Sequence, residues 1–241
     1  DVVIDTTVPT SAIATPNGTT IRTLASVAGT ANADLAGLAK VEVSIQQAMA
    51  SPATSYFNGT GFTSDTTVYF RVGGDTGNGE VSWSSVASAG LLAALAVGST
   101  YTVRAYATDN VEGAYANTQK TAGSYPARTF LWDPTAPTIG VSVPSSSFYG
   151  PAYDITAIVG TSDDVGSRVT KVEVEIERTT STDFSGANDR YWDNSGFGAA
   201  SSSWNAVSGN LASWNYPLSW SANRRYGVRA RVTDLAGSVS T

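Results

Sequence analysis

The chain of 241 residues has no cysteine and no histidine, one methionine and only three lysines, Lys40, Lys120 and Lys171. Lack of cysteine excludes disulfides and thiol nucleophiles. Lack of histidine removes the commonest general base at neutral pH and, with cysteine, the usual zinc ligands. Charged residues make up 14% of the chain and the net charge is -6, so no basic stripe is available to neutralise nucleic-acid phosphates. The longest apolar run, LLAALAV at 91–97, is too short to span a bilayer. Carboxylate pairs could still support glycoside hydrolysis, but no nucleophile, base and oxyanion set assembles from the motifs, so no enzyme and no catalytic residue is expected. The sequence starts at Asp1 without methionine or a signal-peptide pattern, and we expect it to be a processed product or a piece of a longer chain.

What is present is a long repeat. DTTVPT from Asp5 is answered by DPTAPT from Asp133, 128 positions on. VAGT ending at Thr30 matches IVGT ending at Thr161, and KVEVSI from Lys40 matches KVEVEI from Lys171, both 131 on. YFNGTGF from Tyr56 matches YWDNSGF from Tyr191, and YTVRAYATDN from Tyr101 matches YGVRARVTDL from Tyr226, at 135 and 125. The order is constant and the offset drifts as loop insertions would make it. The pattern predicts two homologous domains of about 110–130 residues.

The matched segments read as strands. In KVEVEI, Val172, Val174 and Ile176 share one face while Lys171, Glu173 and Glu175 share the other, the period of two. Likewise Tyr226, Val228, Ala230 and Val232 point inward, with Arg229 and Arg231 outward. PNG at 16–18, GGDTGNG at 73–79 and the Gly/Ser/Asp cluster at 160–167 supply turns. Only LLAALAV hints at a helical turn. Short alternating strands in domains of this size predict an all-β fold of antiparallel sandwiches.

The phrase DxTxPT before the first strand, GT closing the second, KVEVxI and YxVRAxxTD together resemble bacterial immunoglobulin-like tandem repeat domains of large secreted or surface proteins. The resemblance spans both halves of the chain. It implies two tandem immunoglobulin-like antiparallel β-sandwiches and a structural, non-enzymatic, extracellular bacterial role as stalk, filament, surface-layer or adhesive module. It transfers no catalytic residue and no cofactor.

In such a sandwich the strand after YxVRAxxTD completes its sheet. ARTFLWD at 127–133 fills that place in the first repeat, whereas Thr241 follows Asp234 by seven residues. The second domain is expected to lack its own last strand, and VVID at the N-terminus, in register with FLWD, is expected to complete a neighbouring domain. The expected division is 1–5 as that strand, 6–133 as domain 1 and 134–241 as domain 2. The interface residues are then Val2, Val3, Ile4 and Asp5 against Tyr226, Val228, Ala230 and Val232, joining copies head to tail. Continuous pairing along a tandem array, donation between chains and a frayed terminus are three forms this N-terminus can take. Pro134 and Pro137 stiffen the junction.

Other residues carry competing readings. Glu42 is expected opposite Arg104, and Glu173 and Glu175 opposite Arg229 and Arg231, as cross-strand pairs. Trp192, Trp204, Trp214 and Trp220 are either core or a platform for sugar rings, the alternative function being an adhesin or carbohydrate-binding module with glycan partners. Asp34, Asp109, Asp133, Asp163, Asp164 and Asp234 are either turn formers or, gathered near the domain junction, ligands for Ca2+. Asn17 and Asn58 begin NGT, a turn or a glycosylation acceptor.

Overall fold

The computed structural model describes residues 4–48, 55–76, 79–123, 125–150, 155–179 and 189–241. They fall into two compact units, Asp1–Pro134 and Thr135–Thr241. Unit 1 contains β1 (Thr10–Thr15), β2 (Thr20–Ile21), β3 (Ser26–Ala33), β4 (Leu38–Gln47), β5 (Ser55–Phe57), β6 (Phe62–Ser64), β7 (Phe70–Thr76), β8 (Gly79–Val86), β9 (Thr100–Asp109) and β10 (Ala127–Trp132). Two short helices, α1 (Ala89–Ala94) and α2 (Gln119–Ala122), lie between its strands. Unit 2 contains β11 (Thr138–Val143), β12 (Ala157–Asp163), β13 (Val169–Thr179), β14 (Arg190–Trp192), β15 (Phe197–Ala199), β16 (Trp204–Ala206), β17 (Ser213–Pro217), β18 (Arg225–Asp234) and β19 (Val239–Ser240). Among the described residues no helix is long and apolar enough to cross a membrane.

The fold is all-β, and each unit is a sandwich. In unit 1 a three-stranded sheet, β1-β3-β8, faces a larger one, β2-β10-β9-β4-β5-β6, with β7 also on β4. Unit 2 repeats this with β11-β12-β17 facing β15-β14-β13-β18-β19, and β16 also on β13. The alternation seen in the sequence explains the core. Val172, Val174 and Ile176 of β13 are fully buried and pack with Ile158, Trp214 and Val232. In unit 1, Val41, Val43 and Ile45 of β4 join Tyr101, Val103 and Phe130 in the same way. The run at 91–97 forms only α1, which Ser88 caps by accepting the Leu91 N–H at 3.1 Å.

The glycine of each GT phrase is fixed by the opposing sheet neighbours. A Cβ on Gly29 would lie 1.8 Å from the Ala12 carbonyl oxygen and 2.6 Å from the Trp83 ring. A Cβ on Gly160 would lie 2.2 Å from both the Gly140 oxygen and the Trp214 ring. Trp83 stands opposite Gly29 on β8, and Trp214 stands opposite Gly160 on β17. The glycine leaves room for the indole, so the two positions form one packing unit.

Register corrects one of the expected charge pairs. Arg104 is opposite Ser44, and Glu42 is opposite Tyr106. Glu42 instead binds Lys40 at 3.1 Å and Lys120 at 2.7 Å, and Arg104 donates to Gln46. The reason is that one pair of cross-strand positions separates Glu42 from the site facing Arg104. In unit 2 both positions on β13 are glutamates, and they form the expected pairs: Arg231 with Glu173 at 2.7 Å, and Arg229 with Glu175.

Glu173, Glu175 and Glu177 are nevertheless buried, although they lie on the face opposite the core. Ser202 donates to Glu175, the Tyr191 hydroxyl donates to Glu177 at 3.2 Å, and the Trp204 ring lies on the Arg231 guanidinium at 4.3 Å. Burial opposes ionisation of Glu173, but hydrogen bonds from Arg231 and Lys171 outweigh it and hold the carboxyl below its ordinary 4.5. A lowered folded value contributes stability above the ordinary range, and that stability is lost as pH falls through the folded value. Thermal unfolding of the wild type followed from neutral pH downward should therefore show a loss setting in below about pH 4.5, and Glu173→Gln should lack its share of that slope.

Candidate functional site: an open strand edge and paired aspartates

Unit 1 shows what a completed edge looks like. β10 runs antiparallel to β9, with Phe130 opposite Tyr101 and Arg128 opposite Val103. β2 then pairs in parallel with β10 through Thr20 and Ile21. Tyr101 is 0% exposed. Its ring stacks on Phe130 at 5.6 Å, and its hydroxyl accepts the Ala96 N–H at 2.7 Å.

The corresponding strand in unit 2 is covered differently. β18 pairs with β13 from Arg225 to Asp234. On its other edge, among the described residues, it meets only β19, at Val232 and Thr233. Among the described residues, Arg225 to Ala230 therefore present an edge with no strand on that side. Val232 and Ala230 are buried in the core, whereas Tyr226 and Val228, the counterparts of Tyr101 and Val103, are only half-buried. The Tyr226 ring rests against Phe197 and Trp220, and its hydroxyl accepts the Ser221 N–H at 2.9 Å. Phe148 is 89% exposed and stands 128 positions on from Thr20, which in unit 1 pairs with β10. Backbone edge and apolar strip thus coincide, the combination that accepts an added strand.

Of the expected donor residues, Val2 and Val3 lie outside the described residues. Ile4 is 81% exposed. Asp5 is anchored to unit 1: its carboxylate accepts the Thr7 N–H at 2.9 Å and the Ala36 N–H at 3.0 Å, and its carbonyl accepts the Asn117 side-chain amide at 3.2 Å. The Thr7 amide above all, with the Ala36 amide beside it, holds the Asp5 carboxyl below its ordinary value.

The four tryptophans fall in different settings. Trp214 is 1% exposed, so as a member of a sugar platform it is corrected to a core residue held by Gly160. Trp192 donates its ring N–H to the Tyr216 hydroxyl at 2.8 Å and packs on Phe197. Trp220 packs edge-on against Tyr226, and Trp204 covers Arg231. Trp192 and Trp220 thus belong to the aromatic group that lies under the open edge.

Asn58 and Asp193, 135 positions apart, build the same turn. The Asn58 side-chain oxygen accepts from Thr60 and Gly61, and that of Asp193 accepts from Ser195 and Gly196. These bonds, first those of Ser195, keep the Asp193 carboxyl below its ordinary value. Asn17 falls in the turn between β1 and β2.

The aspartates separate into turn formers and a close pair. Asp163 is exposed at the end of β12. Asp133 follows β10, its N–H donating to the Ile21 carbonyl at 2.9 Å. In unit 1, Asp34 lies beside Asp5. Asp109 is saturated: one carboxylate oxygen accepts the N–H groups of Val111 and Asn117, and the other accepts the Asn117 side-chain amide at 2.6 Å. In unit 2, carboxylate oxygens of Asp164 and Asp234 lie within 4.8 Å of each other. Such a pair can share a cation. No protein-family model matches the chain, and no curated protein matches it in sequence.

Proposed function

We propose that the protein is a non-enzymatic structural repeat of a bacterial extracellular stalk, filament or surface layer. In this reading its units are immunoglobulin-like and are joined by strand complementation. The observation that carries the reading is the edge of β18 from Arg225 to Ala230, with Tyr226 and Val228 half-buried where β10 buries their counterparts. In unit 1 the strand that leads into DPTAPT closes the sandwich. By the same phase the strand leading into DTTVPT, with Val2, Val3 and Ile4, closes a copy of unit 2 in a neighbouring repeat. Ile4 takes the place of Trp132 there, and Val2 the place of Phe130.

Light scattering after size exclusion tests this on the whole chain and on a variant lacking residues 1–4, which keeps Asp5 and its bonds to Ala36 and Asn117. Concentration-dependent oligomers are expected for the former and monomers for the latter. A peptide spanning residues 125–133, the closing strand of unit 1, should also bind the shortened variant. Monomers throughout, with no peptide binding, would sink the proposal.

A further inference from the structure

We propose that unit 2 binds a divalent cation between the carboxylates of Asp164 and Asp234, in the position that unit 1 fills with the side-chain amide of Asn117. Asp234 ends β18 and Asp164 lies in the loop after β12, so the sandwich itself brings them together. Each uses one carboxylate oxygen to hold its own loop. Asp234 Oδ1 accepts the Ser238 N–H at 2.8 Å, and Asp164 Oδ2 accepts the N–H and hydroxyl of Ser167 at 2.8 and 2.9 Å. The remaining oxygens, Asp234 Oδ2 and Asp164 Oδ1, are buried and have no hydrogen-bond partner. Asp234 as a whole is 2% exposed, and the two carboxylates approach within 4.8 Å. Buried acceptors without a donor are costly, and buried charges are met by partners or by metals.

The internal repeat shows what is missing. Asp109 is the counterpart of Asp234, 125 positions earlier. Asp109 N–H donates to the Asn117 carbonyl as Asp234 N–H donates to the Ser238 carbonyl, across a longer loop in unit 1 than in unit 2. Asn117 therefore occupies the place of Ser238. Its side chain is long enough to return an amide donor to Asp109 Oδ2 and to the Asp5 carbonyl. Serine has no such arm, so the second carboxylate oxygen of Asp234 stays open. Two anionic oxygens with no nearby donor favour a hard cation, and carboxylate oxygens suit Ca2+, with water completing its shell.

Calorimetric titration of the full chain with CaCl2, after treatment with chelator, tests the site. One Ca2+ per chain is expected, with Kd on the order of 10⁻⁴–10⁻³ M, the range of extracellular modules. At tenfold excess over that Kd the midpoint of unit 2 unfolding should rise by about 5 °C or more. Asp234→Asn and Asp164→Asn should each weaken binding at least tenfold. Ser238→Asn should also abolish binding, yet unfold in chelator no lower than the wild type, because it supplies the donor that the cation replaces. Absence of binding heat and of any thermal shift at about 10 mM Ca2+ would overturn the proposal, and so would undiminished binding by Asp234→Asn. The oligomers expected from strand complementation are read separately, in chelator, so either proposal can fail alone.

Discussion

Trp214→Ala is expected to remove a large part of the stability of unit 2. Truncation of a fully buried tryptophan costs about 3–5 kcal/mol, against a total of about 5–15 kcal/mol for a domain. The ring lies over Gly160, and its removal opens a cavity bordered by β12, which has no side chain at Gly160 to fill it. Circular dichroism should show a lowered or lost transition for unit 2, while the unit built around Trp83 keeps its own. The conservative change separates the two units further. Trp83 donates its ring N–H to the Thr30 carbonyl at 2.9 Å, whereas the Trp214 ring N–H is buried without a partner. Trp83→Phe therefore loses a hydrogen bond that Trp214→Phe does not, and should be the more destabilising of the two. Equal losses would show that the Thr30 bond contributes nothing.

Gly160→Ala should approach the same severity from the opposite direction. A methyl group there meets the Gly140 carbonyl and the Trp214 ring at 2.2 Å, distances that demand movement of backbone and indole together. Overpacking typically costs about 1–3 kcal/mol and occasionally more. Backbone is among the atoms struck, so the upper end is expected. Gly29→Ala should behave alike in unit 1, where the Ala12 oxygen is nearer still. The diagnostic is coupling: in a Trp214→Phe background, Gly160→Ala should cost less than it does alone, since part of the clash has been removed. Additive costs would mean that the β11 backbone, and not the indole, sets the penalty.

Much of the fold was legible because strands write their burial in alternate residues. KVEVEI and YGVRARVTD gave their inward faces directly, and β13 and β18 bury Val174, Ile176 and Val232 as the alternation requires. The closing strand of unit 1, with Phe130 and Trp132 turned to the core, was legible for the same reason. Pairing partners were less so. Glu42 faces Tyr106 and not Arg104, because a displacement of two residues keeps the same face and the sequence holds no ruler for it. The buried state of Glu173 and Glu175 was also hidden, since it depends on Trp204 and Ser202 crossing the outer face of the sheet.

The candidate sites divide along the same line. The resemblance placed ARTFLWD as the strand that closes unit 1, and β10 lies there beside β9. Repetition singled out the GT glycines, and loop position the aspartates, without saying what they touch. Only the tertiary structure set Gly160 beneath Trp214, showed Asn117 answering Asp109, and left Asp164 and Asp234 facing each other. The first and last of those contacts join segments far apart in the chain, and all three depend on loop geometry and sheet register, which local residue patterns do not encode.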